Sequence, residues 1–144
     1  DKVAACALRG ARILNVCELY ERGPVVLALF VEAGSCGDVL SSMQALTREF
    51  PGVGFAAVAL RGSRSALRRL IRRRRLTLPV GLDEEGDLES LYNVFSCPQV
   101  NFAYRGGVVQ SRALLGTSAL GVLRRRVRAL IAASRARERG GPGT

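Results

Sequence analysis

Between Pro24 and Val31 the chain reads PVVLALFV without one polar side chain, the pattern of a strand buried on both faces in a mostly parallel sheet. From Asp38 the period lengthens. Val39, Leu40, Met43, Leu46 and Phe50 mostly recur three or four apart, which predicts one apolar face of a helix that Pro51-Gly52 ends. VGFAAVAL at 53–60 predicts a second buried strand. Ser63 or Ser65 can then cap a helix that turns Leu67, Leu70 and Ile71 inward. The first half therefore reads strand, helix, strand, helix.

Further on, Leu78-Pro79-Val80-Gly81 predicts a brief extended link and 85–94 a short helix. Val100–Tyr104 predicts a strand that turns at Arg105-Gly106-Gly107 into Val108–Leu115, forming a hairpin. Thr117 or Ser118 caps a last helix with Leu120, Leu123, Val127, Leu130 and Ile131 on one side. Residues 1–134 are expected to form one domain, and SRARERGGPGT fades into a flexible tail at 135–144. At the start, Ala11–Leu14 and Val16–Leu19 read as two short extended pieces after an Arg9-Gly10 turn. Parallel strands joined by helices, followed by an antiparallel hairpin and a helix, predict an α/β fold: a mixed central sheet with helices on both faces.

Composition narrows the chemistry. With 144 residues, 48% of them hydrophobic, the chain is large enough for one independent core. No apolar stretch approaches the roughly 18–20 residues that span a bilayer. Histidine is absent, which removes histidine catalysis and histidine metal ligation. The net charge of +10 comes from twenty-one Arg and a single Lys, more a compositional bias than a sign of function. Cys6, Cys17, Cys36 and Cys97 form no CxxC pair, so a structural zinc site is not expected, nor any other metal. Val3-Ala4-Ala5-Cys6 has the look of a lipoprotein cleavage site but lacks the apolar stretch such a signal needs. Asp1 in place of Met suggests that a leader has been removed, which leaves the compartment, cytoplasmic or exported, open.

The order of these segments resembles the redoxin branch of the thioredoxin-like superfamily, the AhpC/TSA and TlpA-like proteins, over nearly the full chain. ERGPVVLALF with a cysteine six residues after Phe30 looks like that family's strand and active-site loop. LDEEGDLESLYNV looks like its acidic loop and short helix, CPQVNFAYRGGVV like its cis-proline loop and hairpin, and GTSALGVLRRRVRALI like its closing helix. The resemblance implies the three-layer thioredoxin-like fold. It puts Cys36 in the first-cysteine place, Gly37 and Asp38 between, and Val39 where a second cysteine usually stands, so a sequential dithiol is lost. A cysteine at a helix N-terminus is favoured as thiolate, although Asp38 opposes this locally. Pro98 resembles the cis-proline that receives an extended substrate, and Cys97 precedes it, which would bring a second thiol beside Cys36. A peroxiredoxin is disfavoured, because Ala33 and Pro98 stand where such enzymes carry Thr and Arg.

The expected activity is thus thiol–disulfide exchange on protein or small-molecule thiols and disulfides, without a cofactor. Cys36 serves as nucleophile, Cys97 as resolving thiol, and Gly37, Asp38 and Pro98 line the substrate. The alternative is a thioredoxin-fold module that binds partners and catalyses nothing. Cys6 and Cys17 read as small core or inter-element fillers. Glu32 is read as a solvated or paired charge in preference to a proton relay for the thiol, and Tyr92 and Phe95 as core under the proline loop. The eight arginines from Arg61 to Arg75 raise nucleic-acid binding as a third reading. A solvated helix face explains them better, since no aromatic is interleaved to stack bases.

Overall fold

The computed structural model describes residues 14–31, 35–83, 97–114 and 119–140. Along them run α1 (Val16–Arg22), β1 (Val25–Phe30), a 3₁₀ turn (Cys36–Asp38), α2 (Val39–Glu49), β2 (Gly54–Ala59) and α3 (Arg64–Arg73). β3 (Val80–Leu82), β4 (Gln99–Ala103), β5 (Val109–Ala113) and α4 (Leu120–Arg139) follow. The strands form one mixed sheet in the order β3-β2-β1-β4-β5. β1 and β3 lie parallel to β2, whereas β4 is antiparallel to β1 and β5.

Every residue of β1 is buried because helices cover both faces of the central strand. Its period of two sorts the core. Val26, Ala28 and Phe30 point to the face packed by Leu40, Met43 and Leu46 of α2 and by Leu123, Val127 and Leu130 of α4. Val25, Leu27 and Leu29 point to the other face, where Leu19 and Tyr20 of α1 lie. Each leucine so buried is worth about 1.5–3 kcal/mol, so β1 is the strand least free to shift. The function depends on this, because the candidate site sits at its C-terminal end.

The first element differs from expectation: Val16–Leu19 is helix, not strand. The physical reason is a local cap. Asn15 Oδ1 accepts the Glu18 N–H at 3.1 Å, and Glu18 and Arg22 complement the dipole at the two ends. The 78–81 link is corrected in part, since Val80–Leu82 joins the sheet as an edge strand against Ala57–Ala59. α4 runs on through Arg139, past the expected start of the tail at 135. Arg and Ala are strong helix formers, Ser134 is buried, and the Arg137 guanidinium stacks 4.5 Å from the Tyr104 ring. The expected helix at 85–94 lies outside the described residues, and α4 has Ala119 as its N-cap, without a side-chain hydrogen bond, in place of the expected Thr117 or Ser118.

α3 ends in a Schellman motif, with the Leu76 N–H on Ile71 O at 3.0 Å and the Arg75 N–H on Arg72 O at 3.2 Å. The motif requires a left-handed residue, and Arg75 supplies it at φ 53°. Arg75→Gly removes the steric cost of that conformation, and unfolding by urea is expected to show a gain of about 0.5–1 kcal/mol. An unchanged or lower midpoint would mean that the Arg75 side chain contributes more than its backbone costs.

Candidate active site

β4 pairs with β1 in a register that ends at Leu29↔Gln99. Continued by two residues, the same register sets Phe30 against Pro98 and Val31 against Cys97. Pro98 has no N–H to extend the ladder, and the regular pairing stops there. Pro98 is buried and joined to Cys97 by a cis peptide bond. The Val31 N–H is directed to sulfur: it lies 3.1 Å from Cys97 Sγ and 3.3 Å from Cys36 Sγ.

Cys36 reaches the same point from the other direction, as the first residue of the 3₁₀ turn that leads into α2. Cys36 and Cys97 are joined by a disulfide across 61 positions, with Cα atoms 5.4 Å apart. That separation is within the range a disulfide needs. Cys36 is only 7% exposed, whereas Cys97 is half-buried.

The residues between Cys36 and α2 divide in their surroundings. Gly37 is buried. Asp38 is exposed, and its carboxylate accepts a 2.9 Å hydrogen bond and ion pair from Arg74 Nη2. Arg74 Nη1 donates to Ser41 Oγ at 3.0 Å, and a side chain at Gly37 would come within 3.9 Å of the same guanidinium. Val31, Ser41 and Arg74 were therefore missed as members of the site. No local sequence signal marks them: Val31 contributes only its backbone, and Arg74 is one of eight arginines in its segment.

Half-buried Cys17 is disulfide-bonded, which corrects its reading as an inert filler. It belongs to neither core cluster. Cys6, Glu32, Ala33, Tyr92 and Phe95 lie outside the described residues. Among the described residues no group of three or more His, Cys, Asp or Glu could hold a metal ion, and no helix is long and apolar enough to cross a membrane. Arg61, Arg64, Arg68, Arg69, Arg72, Arg73 and Arg75 are exposed, as a solvated helix face requires, while Arg74 turns toward the active-site turn.

No family model matches the sequence, and no curated protein matches it at a significant level. Solved structures match the fold. A secreted Mycobacterium tuberculosis disulfide oxidoreductase homologous to E. coli DsbE aligns with a TM-score of 0.68, over 83% of this chain and 87% of its own, at 20% identity. A thioredoxin-like protein solved in its oxidized form gives a TM-score of 0.68 over 77% of this chain and 79% of its own, at 13% identity. The fold is thioredoxin-like. The peroxidoxin BcpB of M. tuberculosis also aligns, with a TM-score of 0.68 over 81% of this chain and 84% of its own, at 16% identity. The mixed sheet covered by helices on both faces is thus the thioredoxin-like architecture expected from the order of segments. Within it, the disulfide partner of the helix-end cysteine comes from the proline loop instead of from the helix.

Proposed function

We propose that this chain is a thiol–disulfide oxidoreductase that acts on protein or small-molecule disulfides, with Cys36 as nucleophile and Cys97 as resolving thiol. The observation that carries the reading is the Cys36–Cys97 disulfide at the end of β1, with the Val31 N–H facing both sulfurs. A backbone N–H held by the central strand favours the charged form of a sulfur that accepts from it, as does the N-terminal end of α2. Both help Cys36 to react as thiolate.

In the reduced chain, Cys36 thiolate attacks one sulfur of the substrate disulfide. A Cys36–substrate bond forms, the substrate S–S bond breaks, and its electron pair leaves on the other substrate sulfur, which takes a proton from water. Cys97 thiolate then attacks Cys36 Sγ, closing the Cys36–Cys97 bond and expelling the second substrate thiolate. Two cysteines are oxidised and one substrate disulfide becomes two thiols. An external dithiol resets the pair. Gly37, Asp38 and Pro98 border this point and form the expected substrate contact.

The test is a single turnover. The chain is reduced with a dithiol, freed of it, and mixed with a peptide disulfide. The expected result is two substrate thiols released per chain as the Cys36–Cys97 bond forms, located by mass mapping. If substrate is untouched and the two cysteines stay reduced, the binding-module alternative replaces this reading.

A further inference from the structure

We infer that Arg74 is a positioning residue for Cys36: by holding the Asp38 carboxylate it fixes the Cys36–Asp38 turn and offsets the negative charge that opposes a Cys36 thiolate. What that acidity serves rests on the activity proposed above; the acidity itself can be measured without a substrate.

Asp38 presents the difficulty. A carboxylate two residues from the sulfur suits the start of α2, but its charge raises the cost of a second anion beside it. Arg74 meets this charge at 2.9 Å from the C-terminal end of another helix, α3, 36 positions along the chain. From the β4 side the turn meets Cys97, whose own thiol titrates and is therefore replaced in the experiment below.

Arg74 is held in place for this contact. Its N–H donates the α-helical bond to Leu70 O at 3.0 Å, and the left-handed Arg75 reverses the chain directly after it. Leu76 and Leu78 are then buried in the core. Gln44 of α2 secures the segment that follows: its Oε1 accepts from the N–H of Thr77 at 2.7 Å and of Leu78 at 3.1 Å, and its Nε2 donates to Thr77 Oγ1 at 2.6 Å. The guanidinium is thus fixed relative to α2 at both ends of a short segment. It contacts the turn before that helix at Asp38 and the helix itself at Ser41.

Solvent limits the size of the effect. The Asp38 side chain is 53% exposed and that of Arg74 25%, so the pair is partly screened. A change of about three- to tenfold in thiolate fraction is the scale expected, where tenfold corresponds to one pKa unit.

The experiment follows alkylation by iodoacetamide against pH in a chain where Cys6, Cys17 and Cys97 are serine, leaving Cys36 as the thiol. Arg74→Met is expected to move the midpoint up and to slow alkylation below it by about three- to tenfold. Arg74→Lys should keep most of the parent rate, since it restores the charge. Asp38→Asn should move the midpoint down, because it leaves Arg74 acting on the thiolate alone. Arg74→Met with Asp38→Asn should return close to the parent, and all shifts should shrink in high salt. A purely structural role for Arg74 would not produce this pattern of signs. The proposal is overturned if Arg74→Met leaves the midpoint in place, or if the double variant stays as far shifted as Arg74→Met. Should Arg74→Met fail to fold, Arg74→Gln takes its place: an upward midpoint is expected, and an unmoved one overturns the proposal. Failure of the substrate turnover described above leaves these outcomes intact, so the two readings fail separately.

Discussion

Cys97→Ser is expected to bring steady-state reduction of a protein disulfide down to background while leaving the first attack intact. Cys36 then holds its substrate as a mixed disulfide that nothing in the chain resolves, and a stoichiometric adduct on Cys36 should accumulate. Cys36→Ser should lose both turnover and adduct, because the sulfur at the helix end is the one whose thiolate the turn favours. Exposure gives this pair of variants its value: Cys36 is 7% exposed and Cys97 half-buried. If Cys36→Ser traps substrate on Cys97 and Cys97→Ser traps none, the roles are exchanged and accessibility outweighs the helix end. Non-reducing mass mapping of the adducts decides between the two, and turnover in either single variant would sink the paired mechanism.

The parts of this fold that were legible in the sequence are those written in a period. PVVLALFV could only be satisfied by burial on both faces, and it is the central strand. Met43 and Leu46, three apart, face the sheet from α2 as their spacing requires. Ser63 caps α3 through its own hydroxyl, which accepts the Ala66 N–H at 3.1 Å. Elements decided by one side chain or by distant partners were harder to read. Val16 and Leu19 suit a strand as well as a helix, and the Asn15 cap tips the balance. Val80–Leu82 becomes a strand because β2 offers an edge, not because three residues favour one. The site divides in the same way. Cys36, Cys97 and Pro98 could be named from residue type and from the resemblance of their loops, whereas Val31 and Arg74 act through a backbone N–H and a contact 36 positions away, neither of which leaves a local pattern.

The oxidised chain is expected to be more stable than the reduced one by about 1–2 kcal/mol above the unfolded thiol pKa of about 8.5, well short of what loop closure alone implies. Cross-linking residues 61 positions apart restricts the unfolded chain by an amount worth about 4 kcal/mol in the entropic account. A thermodynamic cycle ties this difference to reactivity: whatever stabilises the folded reduced form lowers the gap and makes the disulfide easier to open. The Val31 N–H can give a thiolate a charge-assisted hydrogen bond of about 1.5–3 kcal/mol, and the end of α2 about 0.3–1 kcal/mol more. The sign with pH follows. A thiol made more acidic by folding adds stability to the reduced chain above its unfolded pKa, and that stability is lost as pH falls through the folded value. The gap should therefore widen toward about 4 kcal/mol in acid. Urea unfolding of oxidised and reduced protein across pH, with Cys6 and Cys17 replaced by serine, measures it directly. A gap near 4 kcal/mol at every pH would mean that the turn gives the thiolate nothing, and that the Cys36–Cys97 bond is a structural brace and not a working redox pair.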